Sequence, residues 1–143
     1  MLVKQISVFV ENKSGRLAEI IGILGANGID ISALSIADTT DFGILRLIVN
    51  DPPLAEKVLK DNGMVVKATD VIAIAVEDKP GGLAKALKLI SDARIEIEYM
   101  YAFIGKSDNG ALVIVRVNKP DEAVDILENS GISIIDAKDV YRL

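Results

Sequence analysis

Two short segments of the chain place glycine directly before an apolar helical pattern, and this combination can hold a carboxylate. A glycine at that point lets the backbone approach a ligand closely, and the free N–H groups of the first helical turn can donate to the ligand's oxygens. One of the two segments is therefore predicted to bind an anionic group; the alternative is that both glycines only form turns. The segments are Asn12-Lys13-Ser14-Gly15-Arg16-Leu17 and Asp78-Lys79-Pro80-Gly81-Gly82-Leu83.

The composition excludes much enzyme chemistry. The 143 residues include no histidine and no cysteine, which excludes disulfides, thiol nucleophiles, imidazole bases and the usual zinc sites. We therefore expect no cofactor and no metal. With 16 Lys+Arg against 21 Asp+Glu the formal net charge is −5, which repels nucleic acids and anionic membranes. Charged residues interrupt every apolar stretch and the chain opens without a signal-like leader, so we expect a soluble, cytoplasmic protein.

The second half of the chain repeats the first. Residues 10–18 match residues 76–84 at an offset of 66, and residues 68–71 match residues 137–140 at an offset of 69. Two copies are too few for a solenoid, whereas a unit of about 70 residues can hold a small core of its own. We therefore predict two similar domains, at residues 1–69 and 70–143.

Each repeat is predicted to fold as strand, helix, strand, strand, helix, strand. The order βαββαβ makes a four-stranded antiparallel sheet with both helices on one face, which is the ferredoxin-like α+β arrangement. In the first repeat the pattern predicts strand 6–10, a helix with Leu17, Ile20, Ile21 and Leu24 inward, strands 29–36 and 42–49, a helix opened by Pro52-Pro53 with Ala55, Val58 and Leu59 inward, and strand 64–68. In the second it predicts strand 71–76, a helix with Leu83, Ala86, Leu87 and Ile90 inward, strands 95–104 and 111–117, a helix opened by Pro120, and a last strand from Ile132.

These motifs resemble the ACT domain, a regulatory module that binds small molecules. The resemblance rests on the two glycine segments, the helix that follows each of them, and Gly28-Ile29-Asp30-Ile31 on the next strand. It covers essentially the whole chain as two tandem copies. It implies a non-catalytic protein that binds a free amino acid at the interface between modules, forms a homodimer and regulates a partner enzyme of amino-acid biosynthesis.

The resemblance also implies which residues contact the amino acid. The ligand's ammonium can be received by Asn12 or Asp78 after the first strand, and by Asp30 or Glu96 of a neighbouring module at the start of the second strand. Glu96 matches the pattern less well, because Arg94 replaces the glycine found in the first repeat. Each of these residues has the alternative of being a turn, cap or surface residue. The predicted ligand-binding residues are Asn12, Lys13, Ser14, Gly15, Arg16, Leu17, Asp30, Asp78, Pro80, Gly81, Gly82, Leu83 and Glu96.

An aromatic stripe distinguishes the second repeat. Tyr99, Tyr101 and Phe103 alternate along one predicted strand, and such a stripe rarely stays exposed in a monomer. We expect this face to pack on the other repeat or on a second chain; the alternative places it beneath the helices of its own repeat. The aligned residues of the first repeat are Ala33, Ser35 and Ala37.

Two other functions share the same strand order. An acylphosphatase-like enzyme would use Arg16 to bind phosphate, but the glycine-rich loop ending in Phe-Arg that such enzymes carry is absent from the sequence. A pure interaction module without a ligand is the second alternative. An RNA-binding sheet is disfavoured, because it needs a basic surface around its aromatic residues.

Overall fold

The computed structural model describes residues 2–11, 14–38, 42–104 and 110–142. Asn12 and Lys13 of the first glycine segment, and residues 39–41 between the predicted strands 29–36 and 42–49, lie outside these residues. The elements are β1 (Val3–Glu11), α1 (Arg16–Ala26), β2 (Ile31–Asp38), β3 (Phe42–Val49), α2 (Pro52–Asp61), β4 (Val65–Val76), α3 (Gly82–Asp92), β5 (Ile97–Ala102), β6 (Ala111–Val117), α4 (Pro120–Asn129), β7 (Ser133–Ile134) and α5 (Ala137–Val140).

The chain divides into two compact units. The first unit contains Lys4–Thr69 together with Tyr141–Leu143, and the second contains Met1–Val3 together with Asp70–Val140. The division taken from the repeat, at residues 69 and 70, assigns the two terminal segments differently.

Both units have the strand order expected of a ferredoxin-like sheet. In the first unit the order is β2-β3-β1-β4, with antiparallel β1–β3 and β2–β3 pairs. In the second unit β4 lies between β7 and β6, and β5 pairs with the other side of β6, all antiparallel. Each unit therefore places its strands in the order fourth, first, third, second. The predicted α+β fold class is confirmed.

The fourth strand of the first unit and the first strand of the second form one continuous strand. The sequence predicts two strands, 64–68 and 71–76, whereas β4 runs without a break over 12 residues. Between the two predicted strands the chain has only Thr69 and Asp70, and neither is the glycine or proline that would end a strand. The unit boundary consequently falls inside β4.

The helix-facing core of the first unit follows the predicted periodicity. Its sheet contributes alternate residues of β1, and its helices contribute Ile20 and Leu24 from α1 and the predicted residues of α2. Leu17 differs from the prediction: it is 40% exposed, because it lies in the first turn of α1, at the end of the apolar stripe. The buried residues of this core that were predicted are Ile6, Val8, Val10, Ile20, Leu24, Ala55, Val58 and Leu59.

Two prolines and an asparagine-glycine pair set the bounds of α2, and the proline start is as predicted. Pro52 and Pro53 occupy the first two positions of α2, and the carboxylate of Asp51 accepts the N–H of Leu54 at 3.2 Å. Proline suits these positions because their N–H groups have no partner within the helix. At the other end, Asn62 caps α2 and Gly63 takes a φ of 81°.

The end of the second unit differs from the prediction. A strand was expected from Ile132 onward, but β7 covers only two residues before Ile135 donates a last bond to the carbonyl of Ala73. The carbonyl of Asp136 then accepts the N–H groups of Asp139 and Val140, and this short turn forms α5. Residues 68–71 and 137–140, which match in sequence, are therefore strand in one place and helix in the other.

The tyrosine stripe lies on the face of the second sheet that is opposite the helices. The β5–β6 register shifts between Ile97 and Tyr99, after which Tyr101 lies opposite Ile114 and Met100 opposite Val115. Met100 and Val115 belong to the helix-facing core, so Tyr101 points the other way. The rings of Tyr99 and Tyr101 stack at 6.5 Å. The alternative that placed the stripe beneath the unit's own helices is wrong.

Candidate functional site

The two predicted glycine turns have nearly identical backbone geometry. Gly15 precedes α1 with φ 83° and ψ −8°, and Gly81 precedes α3 with φ 85° and ψ −8°. This left-handed conformation is open to glycine and strained for residues with a Cβ. Both turns thus require glycine for a backbone reason, independently of any ligand.

The glycines leave the first helical turn without a side-chain cap. The carbonyl of Gly15 accepts the N–H of Glu19 at 2.9 Å, and the carbonyl of Gly81 accepts the N–H of Lys85 at 3.2 Å. These are the ordinary first bonds of each helix. A glycine has no side chain that could accept the N–H groups at the start of the helix, so the first turn of α1 keeps donors for an anion. In α3 the first of these N–H groups, that of Gly82, already donates to the Lys79 carbonyl, so fewer donors remain there.

A cavity adjoins the turn of the first unit. Its volume is about 280 Å³, and its walls come from the end of β1, the start of α1, the start of β3 and the residues that lead into β4. We call it the first-unit cavity. Its lining residues are Phe9, Val10, Glu11, Arg16, Ile20, Phe42, Gly63, Met64 and Val65.

A second cavity occupies the matching place in the other unit. Its volume is about 410 Å³, and we call it the second-unit cavity. Gly131 here takes the position of Gly63 in the first-unit cavity, and both have a φ of 81°. The repeated sequence therefore builds a cavity in each unit between the turn after the first strand and the chain entering the fourth strand. The lining residues are Ala75, Val76, Glu77, Lys79, Gly81, Gly82, Lys85, Gly131, Ile132 and Ser133.

Arg16 and Glu11 bring opposite charges to the first-unit cavity. The Arg16 guanidinium bonds the Glu19 carboxylate at 3.1 Å and lies 3.8 Å from the Glu11 carboxylate. These contacts hold the arginine at the start of α1, next to the N–H groups of the first turn. Since two carboxylates already surround the guanidinium, the phosphate-binding role of the acylphosphatase alternative is disfavoured.

The turn of the second unit is folded more tightly against its own backbone. The N–H of Gly82 donates to the Lys79 carbonyl at 3.0 Å, and the N–H of Lys79 donates to the Glu77 carbonyl at 2.9 Å. A Cβ added at Gly82 would overlap the Glu77 carbonyl oxygen. The first unit has Arg16 at this position, so the two turns share their glycine conformation but differ in the residue that follows.

An ion pair lies at the rim of the second-unit cavity. The Lys79 ammonium bonds the Glu77 carboxylate. This hydrogen bond, with the charge of Lys79 and a smaller effect of Lys85, lowers the pKa of Glu77, and the same bond raises the pKa of Lys79. Both groups are therefore held in their charged forms at neutral pH.

Asp30 and Glu96 occupy equivalent positions away from the turns of their own units. The N–H of Asp30 donates to the Asn50 side chain at 2.9 Å, and the N–H of Glu96 donates to the Asn118 side chain at 3.0 Å. In return, Asn50 and Asn118 donate their backbone N–H groups to the carbonyls of Asp30 and Glu96. This asparagine pair was not among the predicted residues, although the two asparagines recur at an offset of 68.

Asp30 and the turn at Gly15 lie at opposite ends of the first unit's sheet. Since β1 and β2 both pair antiparallel with β3, they run in the same direction, and the chain leaves β1 at the end opposite to where it enters β2. Neither Asp30 nor Glu96 lines either of the two cavities. A contact between Asp30 and a ligand at such a turn therefore requires another unit or chain and stays a prediction.

The structure brings part of the predicted set to the two cavities. Of the predicted residues that it describes, Arg16 lines the first-unit cavity, and Gly81 and Gly82 line the second-unit cavity. Ser14, Gly15, Leu17, Asp78, Pro80 and Leu83 belong to the same turns and first helical residues without lining a cavity. The aromatic and fourth-strand residues of the walls were not predicted, because only the strand register brings them to the turn.

A larger cavity lies elsewhere in the first unit. It measures about 520 Å³ and contains none of the predicted ligand-binding residues. The hydroxyl of Tyr141 on its wall accepts the N–H of Lys4 at 2.8 Å. Its lining residues are Lys4, Ile6, Pro52, Pro53, Glu56, Lys57, Lys60, Ala68 and Tyr141.

In the described part of the chain, no three Asp and Glu residues come together in a way that could hold a metal ion. The helices of this part are all too short or too polar to cross a membrane.

Comparison with known proteins identifies the family. The model of a family described as the ACT domain pair matches residues 1–143, and the chain therefore belongs to that family. The resemblance inferred from the sequence is confirmed. No curated protein sequence matches the chain.

Solved structures of the same architecture include proteins at high and low sequence identity. Protein BT0572 from Bacteroides thetaiotaomicron is 44% identical, with a TM-score of 0.93 over 100% of this chain and 98% of that chain. The ligand-free regulatory subunit of aspartate kinase from Thermus thermophilus is 15% identical, with a TM-score of 0.65 over 91% of this chain and 94% of that chain. The corresponding subunit from Thermus flavus is 15% identical, with a TM-score of 0.59 over 89% and 91%. At 15% identity the likeness shows the fold alone.

Proposed function

We propose that this protein is a non-catalytic regulatory protein that binds a free amino acid at a glycine turn and controls a partner enzyme of amino-acid metabolism. The observation that carries the proposal is the cavity beside the left-handed glycine turn, which occurs at equivalent places in both units. Because this cavity occurs beside the glycine turn of both ACT units, it is where we expect a small ligand to bind.

The chemistry of the turn suits the two charged groups of an amino acid. The ligand carboxylate accepts N–H groups from the first turn of α1 or α3, where the helix dipole also favours a negative charge. The ligand ammonium is received by an acidic side chain of the cavity, Glu11 in the first unit or Glu77 in the second. Asp30 or Glu96 of a neighbouring module adds a second acceptor in this proposal.

Regulation follows if the amino acid favours one packing of the modules over another. A ligand shifts such an equilibrium only by the difference between its affinities for the two states. A site made from two modules supplies that difference, because the complete set of contacts forms in one packing only. Since two copies of the chain can supply the two modules of such a site, we propose that the protein is a homodimer. We also propose that it acts in the cytoplasm.

The partner is proposed to be an enzyme of amino-acid biosynthesis on a separate polypeptide. The two structures from Thermus share the fold and are described as regulatory subunits of aspartate kinase, which supports a subunit role for a chain built of two ACT units. The identity of the enzyme follows from the ligand, since end products commonly regulate the pathway that makes them.

Thermal denaturation with each standard amino acid tests the proposal. A ligand at about 100 times its dissociation constant is expected to add roughly 2.7 kcal/mol to the free energy of unfolding, which is a readily measured rise in Tm. If no amino acid raises Tm, the proposed function is wrong.

Valine substitutions then locate the site. Gly15→Val and Gly81→Val each place a β-branched residue in a left-handed turn beside a cavity, and one of them is expected to abolish the ligand-dependent rise in Tm. Gly28→Val is the matched control, because Gly28 also has a positive φ of 70° but lies just before β2, at the end of the first unit's sheet opposite to the Gly15 turn. Full ligand response in both turn variants would exclude the turns as the site.

A further inference from the structure

The first-unit cavity is surrounded by large apolar side chains that remain exposed. Phe9 is 41% exposed, Phe42 is 42% exposed and Val65 is 64% exposed. The rings of Phe9 and Phe42 meet edge to face at a centroid distance of 5.9 Å. All three residues line the cavity, so its wall offers exposed apolar surface to a ligand.

The second unit has a small residue at each of the corresponding positions, and two of these residues, Ala75 and Ser133, line its cavity. Val10 pairs with Gly43, and its counterpart Val76 pairs with Ala111. Ala111 is therefore the counterpart of Gly43, and the residue before it, Gly110, is the counterpart of Phe42. The offset of 66 pairs Phe9 with Ala75, and the offset of 68 that relates Gly63 to Gly131 pairs Val65 with Ser133. Ala75 and Ser133 are paired across β4 and β7.

The charged residues of the two cavities differ as well. The first-unit cavity holds Arg16 and Glu11 beside its apolar wall. The second-unit cavity instead holds Lys79, Lys85 and Glu77, with the Lys79–Glu77 ion pair at its rim. Both units therefore have the glycine turn, but the side chains that line their cavities differ in charge and size.

We propose that the first-unit cavity is the specific site for an amino acid with an aliphatic or aromatic side chain, and that Phe9, Phe42 and Val65 determine this specificity. The inference rests on the proposed function. The ligand carboxylate accepts N–H groups at the start of α1, and the ammonium lies near Glu11. Its apolar side chain packs on the three exposed residues, which removes apolar surface of both partners from water. The second-unit cavity offers no comparable apolar wall and does not select such a ligand.

Calorimetric titration of the full-length chain with L-leucine, L-phenylalanine, L-serine and L-aspartate tests the inference. We expect leucine or phenylalanine to bind at least about tenfold more tightly than serine or aspartate, which is the discrimination that burial of a few methylene groups supplies. In Phe9→Ala/Val65→Ser, which carries the residues of the second unit, we expect that preference to fall about tenfold.

Ile36→Ser is the matched control, since Ile36 is 43% exposed in the same unit but does not line the cavity; it is expected to bind as the unmodified protein does. Phe42→Ala provides an independent variant if the double variant folds poorly by circular dichroism.

The outcomes separate the inference from the function on which it rests. Tight binding of serine or aspartate, or an apolar preference unchanged in both cavity variants, would overturn the inference and leave amino-acid binding intact. Absence of binding by all standard amino acids would overturn the proposed function, and the inference with it. If light scattering shows that Phe9→Ala/Val65→Ser dissociates an oligomer without altering ligand affinity, the apolar residues form a subunit contact and the inference is wrong.

Discussion

Arg94 has the same left-handed backbone conformation as Gly28, its counterpart in the first unit: φ is 58° at Arg94 and 70° at Gly28. Each residue lies between the first helix of its unit and the second strand. In both units the residue after it donates an N–H to the carbonyl five residues earlier, Ile29 to Leu24 and Ile95 to Ile90. The shared geometry is therefore fixed by the helix end, and Arg94 adopts it although a Cβ makes it unfavourable.

Arg94→Gly is expected to stabilise the protein. The substitution removes an unfavourable left-handed conformation that costs about 1–2 kcal/mol. Glycine also increases the chain entropy of the unfolded state, which lowers stability by about 0.4–1 kcal/mol. We expect a net gain of about 0.5–1 kcal/mol in the free energy of unfolding, measured by urea denaturation. Gly28→Ala is the converse variant and should lower stability. A destabilised Arg94→Gly would show that the arginine side chain makes a compensating contact.

The contact between Gly82 and the Glu77 carbonyl leads to a second prediction. A Cβ at residue 82 would overlap that oxygen, so Gly82→Ala must displace the turn and is expected to lower stability by about 1–3 kcal/mol. Gly25→Ala, at a helical glycine with no atom near its missing Cβ, should instead raise stability by about 0.5–1 kcal/mol. Equal denaturation midpoints for the two variants would contradict the close contact.

Much of the fold could be predicted from local signals. Glycine at 15 and 81, proline at 52 and 120, and the helical spacing of Ile20 and Leu24 act over a few residues, so a single sequence contains the information needed to place the elements they control. The duplication supports these predictions, because the same helix and strand signals occur in both repeats.

The parts that could not be predicted depend on pairing between distant segments. Phe9 and Phe42 meet because the β1–β3 register places Phe42 opposite Glu11, and a register is a property of two strands together. The same reason applies to the bonds between Asp30 and Asn50. Residues 137–140 form a helical turn whereas the matching residues 68–71 continue a strand, so these four residues do not by themselves decide between the two structures.

The Glu77–Lys79 pair predicts how the second-unit turn responds to pH. The folded-state pKa of Glu77 is lowered, first by its hydrogen bond to Lys79 and then by the charge of Lys79. The stabilisation from Glu77 is therefore present above its unfolded-state pKa and is lost as the pH falls through its folded-state value. The pKa of Lys79 is raised by the same bond, so its share is lost only as the pH rises through that raised value.

Lys79→Met is expected to move the pKa of Glu77 upward, toward its ordinary value. A carboxyl-detected NMR titration of Glu77 in the unmodified protein and in the variant measures this directly, and the difference should shrink in high salt because both side chains are exposed. Lys88→Met is the matched control, since Lys88 pairs with Asp92 on α3 instead. A Glu77 titration that is identical in Lys79→Met and the unmodified protein would show that the pair does not form in solution.

The hydroxyl of Tyr141 provides a test of how the end of the chain is attached to the first unit. It accepts the N–H of Lys4 at 2.8 Å, and Tyr141 lines the cavity of about 520 Å³ beside α2. Tyr141→Phe keeps the ring and removes this acceptor, so we expect a loss of about 0.5–1.5 kcal/mol in the free energy of unfolding and faster hydrogen exchange at the Lys4 amide. Tyr141→Ala should lose more, because the packing of the ring is removed as well. Unchanged exchange at Lys4 in both variants would mean that the terminal segment does not hold β1 in this way.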